Sequence, residues 1–411
     1  MVLLAVVGLA PSVARAEDAP ARLSLSDAIA RAVEGNVDLR RQNVALRTAR
    51  ANTLAALGKF DLVLAADATL ARTVNPPLRA ADQSAGSTKS LVFDLSLSRA
   101  LETGGTLALA GQGRGVTSTS TFTCGAAPGT SVSCRVYSPN LTLSFTQPLL
   151  RGFGREIAEA NLRKQRIAEN VALLNRQAHA ANDVRDTVIA YWELAYQARD
   201  LAIRRSAEAL AREQLSYSDA QIKVGRMGAL EAAAVRRAIA QAQADEAASE
   251  QQLMGRALDL QRLLGAGVPR GFRGLVAADA PASTAPPPVV DADLETEHAL
   301  GASPALKALR KGLAISEIDL QVARESLKPQ LDLGASVGRQ GRNLDVGQAL
   351  DQLGKNADTN WSVGLTFSLP VQNRAARGAA EAARAGADSA QLDAADLELA
   401  IRDGVARFAA Q

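Results

Sequence analysis

The sequence predicts a mostly α-helical protein that also carries a membrane β-barrel, in a duplicated architecture. Three observations point there: six segments alternate apolar and polar residues with a period of two, long proline-free stretches keep a heptad spacing, and the chain starts the same pattern twice.

Composition sets the bounds first. At 411 residues with only 3% aromatic side chains, abundant alanine and interspersed charges of both signs, the chain suits extended packed helices better than one large globular core. A formal charge of +3, with Lys and Arg spread evenly among Asp and Glu, argues against a nucleic-acid surface. With His179 and His298 as its only histidines, the chain offers little for a metal site, and no cofactor is expected. No phosphate-binding Gly-Lys motif, nucleophile elbow or convergent acid/base pair marks an enzyme. Asp183, Asp186 and Glu193 read as a solvated or lumen-facing helix side.

Residues 1–16 read as a signal peptide: an apolar run from Val2 to Ala10, then Pro11 and the small-x-small pattern Ala14-Arg15-Ala16 before Glu17. Export follows. No later apolar stretch approaches the ~20 residues that a spanning helix needs, so strands must carry the chain into any membrane.

The first repeat is read as 17–265. After an opening helix it holds strands at 61–73, 90–99, 105–112 and 139–147. In the first, Leu62, Leu64, Ala66, Ala68 and Leu70 share a face against Asp61, Asp67 and Thr69. Leu91, Phe93, Leu95 and Leu97 then oppose Asp94, Ser96 and Ser98, Leu107 and Leu109 oppose Thr106 and Gln112, and Leu141, Leu143 and Phe145 oppose Thr142, Ser144 and Thr146. A soluble sandwich could alternate likewise. Small hydrophilic polar faces, as a water-filled lumen wants, and apolar faces about the length of a tilted membrane strand favour the barrel.

Residues 74–90, 111–138 and 340–358 read as long polar loops, whereas Ala100 to Gly105 is a tight turn. Barrels of the outer membrane show that asymmetry, with long loops on the external side. Cys124 and Cys134 fall in one such loop and read as a loop-closing disulfide, the alternative being two free thiols.

A helical hairpin occupies 152–264. No proline interrupts 152–224, and Leu194, Leu201, Leu215 and Ile222 keep a seven-residue spacing with Glu208 as its one interruption. Val224-Gly225-Arg226-Met227-Gly228 breaks the pattern, and a second helix returns from Ala229 with Leu253 and Leu260 in register. A solvated stalk without a pore would show the same helices, but stalks need no flanking strands.

Residues 266–290, with Ala285-Pro286-Pro287-Pro288, read as a linker, and 291–411 as the second repeat. There Asn36-Val37-Asp38-Leu39-Arg40 overlays Ser303-Pro304-Ala305-Leu306-Lys307. Leu331, Leu333, Ala335 and Val337 alternate with Asp332 and Ser336, and Trp361, Val363, Leu365, Phe367 and Leu369 with Ser362, Thr366 and Ser368. Phe145-Thr146-Gln147-Pro148 matches Phe367-Ser368-Leu369-Pro370, and each proline, Pro148 and Pro370, marks a switch from strand to long helix, where its fixed φ and missing donor are tolerated. By the duplication the second long helix is truncated in this sequence, and on the order of 70 to 100 further residues are expected.

In this ordered set, Leu23-Ser24-Leu25-Ser26-Asp27-Ala28 with Asn36 and Leu39, Thr146 to Arg155, the tip Val224-Gly225-Arg226, and Leu263-Leu264-Gly265, the chain resembles the TolC-like outer-membrane efflux family. The resemblance implies a homotrimer whose strands form one shared barrel in outer-membrane lipid and whose helices continue it as a periplasmic tube. It implies a passive, non-enzymatic exit duct of a tripartite efflux or type I secretion system in a Gram-negative bacterium. Its partners would be a periplasmic adaptor (membrane fusion) protein and an inner-membrane transporter, with no nucleic acid. The turn Val224, Gly225, Arg226, Met227, Gly228, Ala229, Leu230 and Glu231 looks like the adaptor-docking tip. The alternative is a periplasmic adaptor-like coiled-coil protein. One departure stands out: the family's usual four strands per protomer become six here, so the hairpin 91–109 either enlarges the barrel or stands outside the membrane.

Overall fold

The computed structural model describes residues 21–75, 86–120, 132–226, 228–268, 272, 274–279, 291–355 and 359–410. In chain order the first pass holds β1 (Ala21–Leu23), α1 (Leu25–Gly35), α2 (Val37–Leu57), β2 (Leu62–Asn75), β3 (Gly86–Ala100) and β4 (Thr106–Ser120). It continues with β5 (Val132–Tyr137), β6 (Asn140–Pro148), α3 (Arg155–Ala158), α4 (Ala160–Lys223), α5 (Ala229–Leu263) and β7 (Leu275–Ala277). The second pass holds α6 (Ala292–Ala302), α7 (Pro304–Glu325), β8 (Gln330–Gln340), α8 (Val346–Lys355), β9 (Thr359–Ser368) and α9 (Arg374–Ala409).

The two passes open with the same local chemistry. An 11-residue helix is followed by one of 21 residues in the first pass and 22 in the second. The break falls at Asn36 and at Ser303. Asn36 Oδ1 accepts the Asp38 amide at 2.7 Å, and Ser303 Oγ accepts the Leu306 amide at 3.2 Å. Each is an N-cap that satisfies one of the four orphan donors of the helix behind it. Three residues on, Leu39 and Leu306 are both buried.

The chain divides into two compact units. One contains residues up to 45 and 175–292. Its core joins Leu23, Ala28, Ala32, Tyr191, Leu194, Ala257, Leu260, Leu264 and Leu275. β1 and β7 pair in parallel there, Arg22 opposite Val276. α4 and α5 form an antiparallel hairpin laced by Arg205–Glu246 at 3.0 Å and Arg256–Glu193 at 3.0 Å. Leu194 and Leu201 of the heptad seam are buried. So is Glu208, which takes Arg212 Nη2 at 2.6 Å and Gln243 Nε2 at 3.2 Å. Small side chains let the helices close: Gln197 Nε2 reaches Ser249 Oγ at 3.1 Å, and that hydroxyl donates to Asp200 at 2.9 Å.

The other unit contains 46–174 and the chain from 293 on. Its antiparallel sheet follows the order β2-β3-β4-β6-β8-β9, with β5 pairing β4 off that path. α7 packs along α9, with Arg310 Nη2 2.6 Å from Glu398, and meets the start of α4 through Lys164 and Asp319 at 2.5 Å.

The elements differ from the sequence expectation at their ends. The stretch expected to be loop at 111–138 carries the outer half of β4 and all of β5, β2 and β3 reach into 74–90, and α8 occupies part of 340–358. The reason is physical: beyond the apolar band both faces of a strand are polar, so no alternation marks it, while its backbone ladder continues. Within 266–290, expected to be linker, lies β7, a three-residue strand too short for any periodicity to register. The first long helix starts after Gly154 rather than at Gly152, because both glycines adopt left-handed φ values of +97° and +85°.

Candidate functional site

Cross-strand register gives the sheet one apolar and one polar face. Leu64 lies opposite Leu97, Leu97 opposite Leu109, Leu109 opposite Leu143, Leu143 opposite Val337 and Val337 opposite Trp361. That row crosses all six strands of the main path, and its neighbours, such as Leu107, Phe145, Ala335 and Val363, repeat it. The face is largely open: Leu64 is 67% exposed and Trp361 75%. Apolar patches on water-soluble monomers seldom exceed a few hundred Å², whereas a lipid-facing barrel wall has an apolar band ~25 Å tall.

The opposite face is hydrophilic. Asp67 faces Asp94, Asp94 faces Gln112, Gln112 faces Asn140 and Asn140 faces Gln340. Gln112 Nε2 donates to Asp94 at 2.6 Å, and Ser336 Oγ lies 2.8 Å from Ser362 Oγ. A wall with one apolar and one such polar face can separate lipid from a water-filled duct.

At one end of the sheet the chain turns from strand to helix. β6 ends at Pro148, after which the Leu149 amide donates to Leu331 O at 2.7 Å. The β3–β4 turn locks onto this switch: the Gly154 amide donates to Thr103 O at 3.1 Å, while buried Gln147 takes Thr103 Oγ1 at 2.7 Å and donates to Thr103 O at 3.1 Å. Gly104 has φ +90°, and a Cβ there would meet Gly152 O at 2.3 Å. In the second pass Pro370 precedes Asn373, whose left-handed backbone (φ 43°) starts α9 and whose side-chain amide donates to Leu327 O at 3.2 Å. Sequence reasoning named the two prolines and missed Gln147 and Asn373. The motif Gln147-Pro148 carried that signal; Asn373 carried none beyond its helix-start position.

At the hairpin turn, α4 closes with the Gly225 amide donating to Ile222 O and the Arg226 amide to Gln221 O, both at 2.9 Å. Gly225 needs its φ of +73°; Gly228 does not, since it is the extended N-cap of α5 at φ −82°. Val224, Gly225 and Arg226 are exposed. Met227 lies outside the described residues, as do the side chains of Ala229, Leu230 and Glu231. Cys124 and the side chain of Cys134 lie outside them too, and with them the disulfide.

Asp183, Asp186 and Glu193 do not converge. Asp186 pairs with Arg185 at 2.8 Å and Glu193 with Arg256. Burial, with Asp38 adding to it, pushes the Asp183 carboxyl up, and its Oδ2 is buried without a hydrogen-bond partner among the described residues. Among the described residues no helix is long and apolar enough to cross a membrane, and no group of three or more His, Cys, Asp or Glu could hold a metal ion.

Residues 296–411 match the model of the family described as outer membrane efflux protein. No curated protein matches the chain. Among solved structures, it is similar to the Campylobacter jejuni outer membrane channel CmeC, at 14% identity and a TM-score of 0.63, over 92% of this chain and 68% of that one. It is also similar to the outer membrane protein VceC of Vibrio cholerae, at 17% identity and TM-score 0.61, over 91% and 75% of the two chains. A third is the outer-membrane channel OprN, at 19% identity and TM-score 0.59, over 93% and 73%. At these identities the likeness establishes the fold: a β-barrel wall with a helical tube.

Proposed function

We propose, from the match of residues 296–411 to the outer membrane efflux protein model and from the fold, that the chain is the exit duct of a tripartite efflux or type I secretion system. The family's members are transport ducts, so the chain passes its cargo without chemistry. The observation that carries the reading is the exposed apolar face running across β2, β3, β4, β6, β8 and β9 behind a polar one. A periplasmic adaptor has no use for such a face, since its β-domains work in water.

An open sheet cannot stand in a bilayer, because its edge N–H and C=O groups would lack partners. The edges here are β2 and β9. Pairing the β9 edge of one copy with the β2 edge of the next closes a barrel, with a homotrimer as the assembly that the family resemblance implies. β3 and β4 then lie within the wall, so this chain contributes six strands rather than four to the barrel. Val224 to Glu231 is the tip that meets the adaptor, which links the duct to an inner-membrane transporter. Cys124 and Cys134 close an external loop by a disulfide; mass mapping of the unreduced protein should find no alkylatable thiol.

Membrane fractionation with heat-modified migration, followed by conductance in planar bilayers, tests the reading. Outer-membrane recovery, a fast unheated band and ohmic conductance are expected. A chain recovered only in the soluble periplasm would overturn it.

A further inference from the structure

Resting on that reading, we infer that the external end of the apolar face binds a phosphorylated, anionic lipid of the outer leaflet. Three cations stand side by side just past the apolar band. Arg72 lies directly opposite Lys89, Lys89 opposite Thr117, and Thr117 opposite Arg135, so the row spans β2, β3, β4 and β5. Strand parity puts the row on the lipid side, because Arg72 follows Leu70 by two residues and Lys89 precedes Leu91 by two.

Like charges directly opposite each other in a ladder destabilise it, and among the described residues no carboxylate offsets them. Arg135 Nε donates to Thr117 Oγ1 at 3.2 Å. Among the described residues no carboxylate pairs with Arg72, Lys89 or Arg135. The acids in and just before nearby α8 are engaged elsewhere: Asp351 holds Lys355 at 2.9 Å, and Asp345 Oδ1 accepts the Gln348 amide at 3.0 Å.

Below the row the wall is hollowed. Three successive lipid-side positions of β4 are glycines, Gly111 opposite Leu95, Gly113 opposite Phe93 and Gly115 opposite Leu91. Gly113 and Gly115 floor a cavity of about 550 Å³ lined by Leu70, Leu91, Phe93, Tyr137 and Leu350, with Lys89 and Arg135 also on its wall. An apolar trough under cations that no described carboxylate pairs fits an acyl chain joined to a phosphate headgroup; a neutral phospholipid would leave the charges unanswered. Ion pairing to phosphate at a partly desolvated site also answers the repulsion between Arg72 and Lys89.

The test uses the full chain purified in mild detergent, then exposed to lipid A, to phosphatidylethanolamine or to inorganic phosphate, with retained lipid read by native mass spectrometry. Wild type should retain lipid A over phosphatidylethanolamine. The double variant Lys89→Gln/Arg135→Gln should lose retention roughly tenfold, as should Gly113→Leu, which fills the trough where an added Cβ has 3.9 Å to the nearest atom. Equal retention in wild type and both variants overturns the inference, as does displacement by inorganic phosphate at concentrations matching lipid A. Heat-modified migration and conductance are read on the same samples. If those hold while lipid A is not retained, this inference fails and the duct reading stands; if they fail, the duct reading itself has failed.

Discussion

The hydroxyl of Tyr191 lies 2.8 Å from Asp279 Oδ2, 3.1 Å from the Asp279 amide and 3.0 Å from Leu23 O, so one fully buried ring on α4 fastens the ends of both strands of the small parallel sheet. Asp279 in turn accepts the Leu25 amide at 2.7 Å at the first turn of α1. Tyr191→Phe keeps the packing and orphans these groups, and should cost about 1–2 kcal/mol. Thermal unfolding of the purified protein would measure it; an unchanged midpoint would count against the clamp.

The Leu25 amide, and then the Tyr191 hydroxyl, hold the Asp279 carboxyl below its ordinary value of 3.8. A depressed folded-state value means that the stabilisation is fully present above the ordinary carboxylate value and disappears as pH falls through the lowered one. Hydrogen exchange in α1 and β1 should therefore accelerate only below about pH 4, and Asp279→Asn should flatten that dependence.

The tip glycines should separate. Gly225→Val forces a β-branched residue to φ +73°, a strain of about 1–3 kcal/mol confined to the turn. Gly228→Leu strains nothing, because nothing lies within 4 Å of its added Cβ. If the turn docks an adaptor, both should lose export while unheated gels show the same assembly. Export intact in both would remove the tip assignment.

Gly104→Ala combines φ +90° with a Cβ only 2.3 Å from Gly152 O, at the point where the β3–β4 turn holds the strand-to-helix switch. Backbone strain alone is about 1–3 kcal/mol, and the clash adds to it. The expected result is a sharp fall in the heat-resistant fraction recovered from outer membranes.

On the polar face, Asp67 directly opposite Asp94 places two carboxylates per copy on the duct wall. Asp67→Asn with Asp94→Asn should lower the preference for cations over anions, read as a shift in reversal potential across a salt gradient. A duct indifferent to both changes would argue that this face does not line the pore.

Much of this was legible in the sequence because hydropathy periods report what each face of an element touches. Leu62 to Leu70 against Asp67 and Thr69 required a two-faced strand, and Leu194, Leu201, Leu215 and Ile222 required a helical seam. The Asn36 and Ser303 overlay located the repeat, but not the helix break that falls at both residues. Tertiary structure alone decided who meets whom. That β1 pairs β7 across some 250 residues, that Gln147 reads the Thr103 turn, and that Arg72, Lys89 and Arg135 align in one row are consequences of register and chain return. A local pattern carries the solvent preference of a face, but its partner is chosen by backbone ladders and packing between residues far apart in sequence, and no period records that choice.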